Sequence, residues 1–363
     1  MVWILFSYAF IHSMEPDEPI RKPLPPGLFC DYGENAEMCW EAMARGGYVT
    51  GNDRFYVRNH GPTPEIDVAS WSLRVDGPGV ERGLELGYEE LLGLPAVSVV
   101  CNLECAGNGR VFFEEDQGRA VEGTPWRLGA IGVAEWRGVP LRVLLERAGF
   151  KATAVEAVPE GVDGGRRPLP LAKALEEDTV LAYAMNGEPL GWDHGFPARV
   201  VVPGWYAVAS IKWVRGIHVT EEPVRVAWNS EEYVMVGRDG GMPGARGPAV
   251  TVQGIKSALE LPWPARLPRG RHAVFGRAWS GGGEISRVDY SLDGKEWLTA
   301  RLEGQNLPRA WVRFTFEWDA SPGEHEIRLR ATDAAGNVQP DAVPHNELGY
   351  DYNAVVAHPV TVY

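Results

Sequence analysis

The chain has 363 residues, 45% hydrophobic and 23% charged, with a formal net charge of −14 and a pI near 5.1. At about 100–200 residues per domain this length implies two domains, and the composition excludes a disordered, collagen-like or coiled-coil chain. The acidic balance excludes a nucleic-acid binder acting through its whole surface, so any anion site must be a local cluster of Arg, Lys and His. With 43 Gly and 28 Pro, many turns and more strand than helix are expected. Four cysteines (Cys30, Cys39, Cys101, Cys105) contain no CxxC pair and do not form a disulfide framework.

Residues 2–11 (VWILFSYAFI) are apolar but too short to span a bilayer at about 20 residues. They lack a basic leader, a small-x-small cleavage site and a twin arginine. Met14 is therefore a candidate true start, with a first strand or a hydrophobic anchor as the alternatives. A cytoplasmic location follows as the expectation. Residues 1–36 are Pro-rich and read as an extended arm.

From 37 to 235 the pattern mixes strands and helices. A helix is expected over Arg137–Gly149, because Leu141, Leu144, Leu145 and Ala148 share a face and Gly149 closes it. A second, short helix starts at Pro170. Ser98–Leu103 and Arg199–Val202 read as buried strands. Ile211, Trp213, Ile217 and Val219 predict another strand, with Lys212 on its opposite face. Residues 223–250 form a Gly/Pro-rich bridge. From 250 to 363 the pattern is all-β: Val312, Phe314, Phe316 and Trp318 alternate with Arg313, Thr315 and Glu317. The Asp293–Gly294 pair marks a hairpin. Short alternating strands over this length predict an immunoglobulin-like β-sandwich. The fold class is therefore α+β, a mixed domain followed by a sandwich. There is no P-loop, and Gly107-Asn108-Gly109 lacks the third glycine of a dinucleotide fingerprint.

The chemistry centres on Val100–Arg110 (VCNLECAGNGR), where a buried strand runs into a cysteine followed by small residues. Such a turn leaves the sulfur open to a ligand, and Arg110 favours thiolate. Around it, several motifs occur in order: Tyr56–His60 (YVRNH), Cys105–Asn108 (CAGN) and Gly123–Gly132 (GTPWRLGAIG). Trp136–Leu141 (WRGVPL), Leu181–Pro189 (LAYAMNGEP), Asp193–Gly204 (DHGFPARVVVPG) and Lys212-Trp213 follow, then Gly276–Gly283 (GRAWSGGG) and Asn337–Asp341 (NVQPD). This ordered set resembles the sulfite oxidase family of molybdenum enzymes from about Phe55 to the C-terminus.

The resemblance implies molybdenum held by one pterin dithiolene (molybdopterin) and the Cys105 thiolate, a soft ligand suited to a two-electron metal. It assigns the pterin to His60, His194, Arg199 and Lys212, with Asp163 and Ser210 beside them. It places Arg58 and Arg110 on a small oxyanion substrate, Tyr233 as a proton relay near the metal, and Trp126 in the pocket wall. It implies oxidation of sulfite, or a related sulfur oxyanion, to sulfate, and a homodimer formed through the sandwich. Two positions depart from the family: CAGNRR reads CAGNGR, so Gly109 replaces an arginine, and the Asn-Leu-Arg-Gly segment reads Asn346–Gly349 (NELG), leaving Leu348 without charge. His345 lies close by in sequence and is a candidate substitute. Sulfane or thiosulfate dehydrogenation, nitrate reduction and a cofactor-free scaffold stay open as alternatives. Without a haem or flavin segment, an external electron acceptor (a cytochrome or dioxygen) is expected.

Overall fold

A computed structural model describes residues 19–43, 46–239, 242 and 244–363. The apolar stretch 2–11 and Met14 lie outside the described residues.

The N-terminal part carries two five-stranded sheets. In one, strands Val97–Glu104, Ile131–Pro140, Val180–Met185 and Glu188–Pro189 lie side by side, and Arg199–Val201 also pairs with Val180–Met185. The first pairing runs antiparallel from Val97 opposite Gly138 to Glu104 opposite Ile131. This sheet is buried on both faces: Cys101, Leu103, Ala134 and Trp136 lie on one, and Val133 on the other beside the buried polar Asn102 and Glu104. The second sheet orders Leu84–Gly87, Ser72–Asp76, Val214–Thr220, Glu156–Gly161 and Leu169–Pro170, with one parallel pair between Ser72–Asp76 and Val214–Thr220.

The helix Leu141–Ala148 buries Leu141, Leu144, Leu145 and Ala148 against these sheets and ends at Gly149, whose φ of 69° no side-chain-bearing residue adopts readily. It is shorter than the sequence pattern predicted. Residues 137–140 instead extend the strand that pairs with Val180–Ala184, because Pro140, with no N–H to donate, marks the first turn of the helix. The short helix Leu171–Ala174 follows Pro170 as expected.

The arm expected over 1–36 requires a correction in its described part. Phe29–Asp31 and Asn35–Met38 form an antiparallel hairpin, and Asn35–Ala36 pair in turn with Val57–Arg58. The hairpin forms because Ile20, Phe29, Ala36 and Val57 bury together, while Gly33 (φ 82°) makes the turn. The strand expected from Ile211 begins only at Val214, since Trp213 (φ 52°) breaks it, and Lys212 sits in the preceding loop. The bridge 223–250 contains its own two-stranded pairing, Val234–Val236 with Arg246–Ala249.

The C-terminal part is a two-sheet sandwich. A four-stranded sheet (Lys256–Leu259, Gly270–Trp279, Trp311–Ala320, Arg301–Asn306) faces a five-stranded one (Ala265–Leu267, Ala357–Val362, Gly323–Asp333, Ile285–Ser291, Leu298–Thr299). Val312, Phe314, Phe316 and Trp318 fill the space between the sheets with Ile327, Leu329 and Ala331. The alternation read from the sequence is the register seen here. At the predicted hairpin, Gly294 takes φ 74° and the Asp293 carboxylate accepts the N–H groups of Lys295 and Glu296.

Candidate active site

The strand Val97–Glu104 delivers Cys105 into a tight turn. The Cys105 N–H donates to Ala130 O at 2.9 Å, and Asn108 N–H donates back to Cys105 O at 2.9 Å. Asn108 locks the turn with its side chain, donating to Glu104 Oε1 (2.9 Å) and accepting from Ala130 N (3.1 Å). The Cys105 sulfur is thereby presented to a cleft of ≈ 680 Å³, open mouth included.

Three cations and two imidazoles converge on that cleft: Arg58, Arg199, Lys212, His60 and His194. Each arrives on a different element. Arg58 ends the short strand paired to Asn35, and His60 follows it. His194 closes the 3-10 turn Trp192–His194, and Arg199 opens the strand Arg199–Val201. The Arg199 guanidinium donates to His194 O and Ser210 O, each at 3.0 Å, and lies 5.1 Å over the Trp136 ring. Burial lowers it to about 10. The Lys212 ammonium donates to Asp193 O (2.9 Å) and to Asn59 Oδ1, and burial, reinforced by the Arg199 charge, drives its pKa far down. Burial likewise keeps His194 neutral. Ser210 accepts the Val202 N–H at 3.1 Å, and Asp163, also in the lining, accepts the Gly165 N–H at 3.1 Å.

At one edge of the cleft, the Tyr233 phenol lies 2.6 Å from His60 Nε2 and accepts from the Arg58 guanidinium at 3.2 Å. Arg58 also donates to His60 Nε2 at 2.9 Å. Crowding by protein, then the Arg58 charge, lowers His60 to about 3, so its ring is neutral and Nε2 is an acceptor. Burial raises the Tyr233 phenol, which stays protonated. Trp228 packs tilted against His60 at 4.3 Å, and Tyr350 stacks on Tyr233 at 5.2 Å.

Three of the residues singled out from the sequence, Arg110, Trp126 and His345, do not line the cleft. The Arg110 guanidinium donates to Thr124 O (3.0 Å) and Leu348 O (3.2 Å) and lies 5.4 Å over Tyr350. It is packed so closely that a Cβ on Gly107 or Gly123 would come within 2.7 or 2.6 Å of it. Trp126 is fully buried behind it, edge-on to Tyr32 and Tyr56. His345 is buried against Phe113 rather than facing the cleft, so it supplies no charge there. Sequence reasoning passed over Asn59, Asp193 and Trp228. Asn59 and Asp193 sit inside motifs already quoted, and the signal was their neighbours: Asn59 accepts from Lys212, and Asp193 gathers the backbone N–H groups of Arg21 and Lys22 and the Thr63 hydroxyl.

The donor set fits a molybdenum pterin. His194 Nε2 and Arg199 Nε are buried without a hydrogen-bond partner among the described residues, and buried polar atoms need one. A phosphate-bearing, acceptor-rich group placed in this cationic cleft satisfies them. Among the described residues no three His, Cys, Asp or Glu side chains cluster to hold a metal. The single Cys105 sulfur would supply one thiolate ligand to a metal carried by such a group.

Comparison with known proteins decides the assignment. Residues 60–228 match the oxidoreductase molybdopterin binding domain, and 255–362 the Mo-co oxidoreductase dimerisation domain. The chain is 39% identical over 352 residues to sulfite oxidase of Gallus gallus, covering 88% of this chain and 74% of that one. The chain belongs to the sulfite oxidase family. Mitochondrial sulfite oxidase of Homo sapiens is 35% identical, over 90% of this chain and 63% of its own length. The chain thus spans about two thirds to three quarters of these two vertebrate relatives. Among solved structures, the sulfane dehydrogenase SoxCD of Paracoccus pantotrophus superposes with a TM-score of 0.81 at 30% identity, over 96% of this chain and 92% of that one. As a member of the sulfite oxidase family, the chain is a molybdenum-cofactor-dependent oxidoreductase with a dimerisation-type sandwich behind its active-site domain.

Proposed function

We propose that this enzyme oxidises sulfite, or a closely related sulfur oxyanion, to sulfate and passes the electrons to an external acceptor, a cytochrome or dioxygen. The observation that carries this reading is the convergence of Cys105, Arg58, His60 and Tyr233 on one cleft. Molybdenum bound through Cys105 and the pterin would supply two-electron oxygen-atom transfer.

The chain's own side chains divide the remaining work. His60, His194, Arg199 and Lys212 hold the pterin and its phosphate, with Asp163 and Ser210 lining the same wall. Arg58 binds the anion, because its guanidinium is the charged group at the Cys105 edge that is not committed to the pterin side. Neutral His60 adds no charge of its own. It accepts from Arg58 and from the phenol, fixing both where the substrate enters. The Tyr233 hydroxyl, with a proton on its oxygen, can donate to a substrate oxygen once that contact replaces the one to Nε2. Arg110 positions the turn beneath the substrate through Thr124 and Leu348, and Trp126 packs behind it. The sandwich pairs two copies, as symmetric association is the usual outcome for such a domain.

Two of the family's charges are absent, at Gly109 and Leu348. This favours a second reading in which a less charged sulfur substrate is oxidised on the same cofactor. Kinetics of the molybdenum-loaded protein with sulfite, thiosulfate and nitrate, each against dioxygen, ferricyanide and a cytochrome, separate the readings. The proposal expects sulfite to give the highest kcat/KM. A higher value for thiosulfate, or turnover only in the nitrate-reducing direction, overturns it. In the same assay Cys105→Ser should lose turnover by orders of magnitude with the fold retained.

A further inference from the structure

Two cysteines play no part in the cleft. Cys30 and Cys39 lie on the N-terminal hairpin, far in sequence from Cys105. The pairing Phe29 opposite Met38 and Cys30 opposite Glu37, continued by Cys39 N–H donating to Leu28 O at 2.8 Å, sets their positions. Side chains two residues apart on a strand share a face, so Cys30 and Cys39 are diagonal neighbours on one face of the hairpin. Their sulfurs are 3.8 Å apart. A disulfide needs about 2.05 Å, so rotamer adjustment and a small closing of the hairpin bring them into bonding distance. Cys101 is fully buried and Cys105 faces the cofactor cleft, so neither competes for this pairing.

We propose that Cys30 and Cys39 are a thiol–disulfide modification site, at which a small-molecule disulfide oxidises the pair to a staple across the hairpin. The approach is open. Cys30 is exposed, and both sulfurs line a separate cleft of ≈ 620 Å³, open mouth included, walled also by Tyr32, Arg127, Trp263 and His358. The two sulfurs are not equivalent. Burial pushes both thiols up, Cys39 to about 12, and Cys30 is the attacking sulfur because it is the exposed one that an external disulfide reaches. The Cys30 thiolate attacks one sulfur of the external disulfide, releases one thiol and forms a mixed disulfide. Cys39, giving its proton to solvent, then attacks the Cys30 sulfur and expels the second thiol. Two protein thiols are oxidised, one external disulfide is reduced to two thiols, and no other electron donor is needed.

The staple would sit where it steadies the active-site edge. Glu37, opposite Cys30 and two residues before Cys39, accepts the N–H groups of Arg127 (3.0 Å) and Gly129 (2.9 Å) and the Tyr32 hydroxyl (2.7 Å). Asn35, at the start of that strand, accepts the Asn59 N–H at 3.0 Å and so holds the Arg58–His60 segment. The inference is independent of which substrate the cleft takes.

The test uses the folded holoenzyme in buffers of graded oxidised-to-reduced glutathione ratio, trapped with acid, alkylated and mapped by mass spectrometry. The expected result is a Cys30–Cys39 cross-linked peptide lacking two hydrogens, with Cys101 and Cys105 alkylated only after unfolding. The thermal midpoint should rise on oxidation in the wild type and not in Cys39→Ser, which should stop at a Cys30–glutathione adduct. A persistent Cys30 adduct in the wild type without the internal link overturns the proposal. So does a cross-link that forms only once the protein is unfolded.

Discussion

Lys256, at the start of the C-terminal sandwich, donates a 2.8 Å hydrogen bond to Glu104, the residue before Cys105, and both side chains are buried. The same ammonium reaches Asn108 O at 2.7 Å, and the other Glu104 oxygen accepts Trp279 Nε1 at 3.0 Å. The sandwich therefore grips the cysteine turn from behind. Removing one partner of a buried pair leaves the other charge uncompensated, at a cost of about 3–5 kcal/mol. Lys256→Met should lose that much stability in denaturant unfolding and loosen the turn, seen as reduced molybdenum content. Glu104→Gln in the Lys256→Met background should recover much of the loss. If Lys256→Met alone unfolds at the wild-type midpoint, the pair is not holding the turn.

Arg58 and Arg110 are both near Cys105, yet they are committed differently, and their removal should be felt in different measurements. A charge-assisted hydrogen bond is worth about 1.5–3 kcal/mol, and about 1.4 kcal/mol makes one decade. Arg58→Met should therefore raise the KM for sulfite by about tenfold to a hundredfold at unchanged molybdenum content, with sulfate inhibition weakened in parallel. Arg110→Met should instead leave Thr124 O and Leu348 O unpaired at about 1–3 kcal/mol each, lowering the thermal midpoint. A large KM effect at Arg110 with no loss of stability would put its guanidinium on the substrate rather than on the two carbonyls.

His358 supplies a pH dependence. It is buried against Trp263 at 4.4 Å, its Nε2 donating to Pro262 O at 2.8 Å, and burial lowers it from 6.5 to about 4. The folded protein keeps this ring neutral while the unfolded chain takes up a proton near 6.5. Stability is therefore full above pH 6.5 and is lost as pH falls from 6.5 towards 4, by about 3 kcal/mol at most. His358→Gln keeps a donor for Pro262 without the titration. Its unfolding free energy should fall less steeply over that interval than the wild type's. Parallel pH profiles for the two proteins would remove His358 as the cause.

How much of this was legible in the sequence depended on whether the cause was local. The strand alternation at Val312–Trp318, the Gly149 helix stop and the Asp293–Gly294 turn follow from periods and backbone rules within a few residues, and they appear as read. The Cys105 turn was legible because its small residues are contiguous. The N-terminal hairpin was not, because its reason for folding is burial of Phe29 and Ala36 against Ile20 and Val57, and proline content alone suggested an extended arm. Arg110 shows the same limit. The family resemblance implied a substrate contact, but its direction is set by Leu348, 238 residues away. Lys256 carries no local mark at all, since its partner Glu104 lies on another domain.

The arginine missing at Gly109 has a backbone cause, which makes a restoring substitution informative. Gly109 takes φ 94°, and a Cβ there would lie 3.1 Å from Tyr352 O and 3.3 Å from Tyr352 Cβ. A residue with a side chain held in such a conformation costs about 1–3 kcal/mol. In addition, Tyr352 cannot easily retreat, because its hydroxyl donates to Asp116 at 2.5 Å and its ring packs edge-on to Phe113 at 4.9 Å. Gly109→Arg should therefore lower the thermal midpoint and leave the KM for sulfite no better than wild type, despite matching the family's sequence. Gly109→Ala isolates the backbone part, and it should carry most of the stability loss. If Gly109→Arg instead keeps wild-type stability and lowers the sulfite KM, the turn can relax to accept a side chain. The absence of charge at this position would then be a choice of substrate rather than a demand of the backbone.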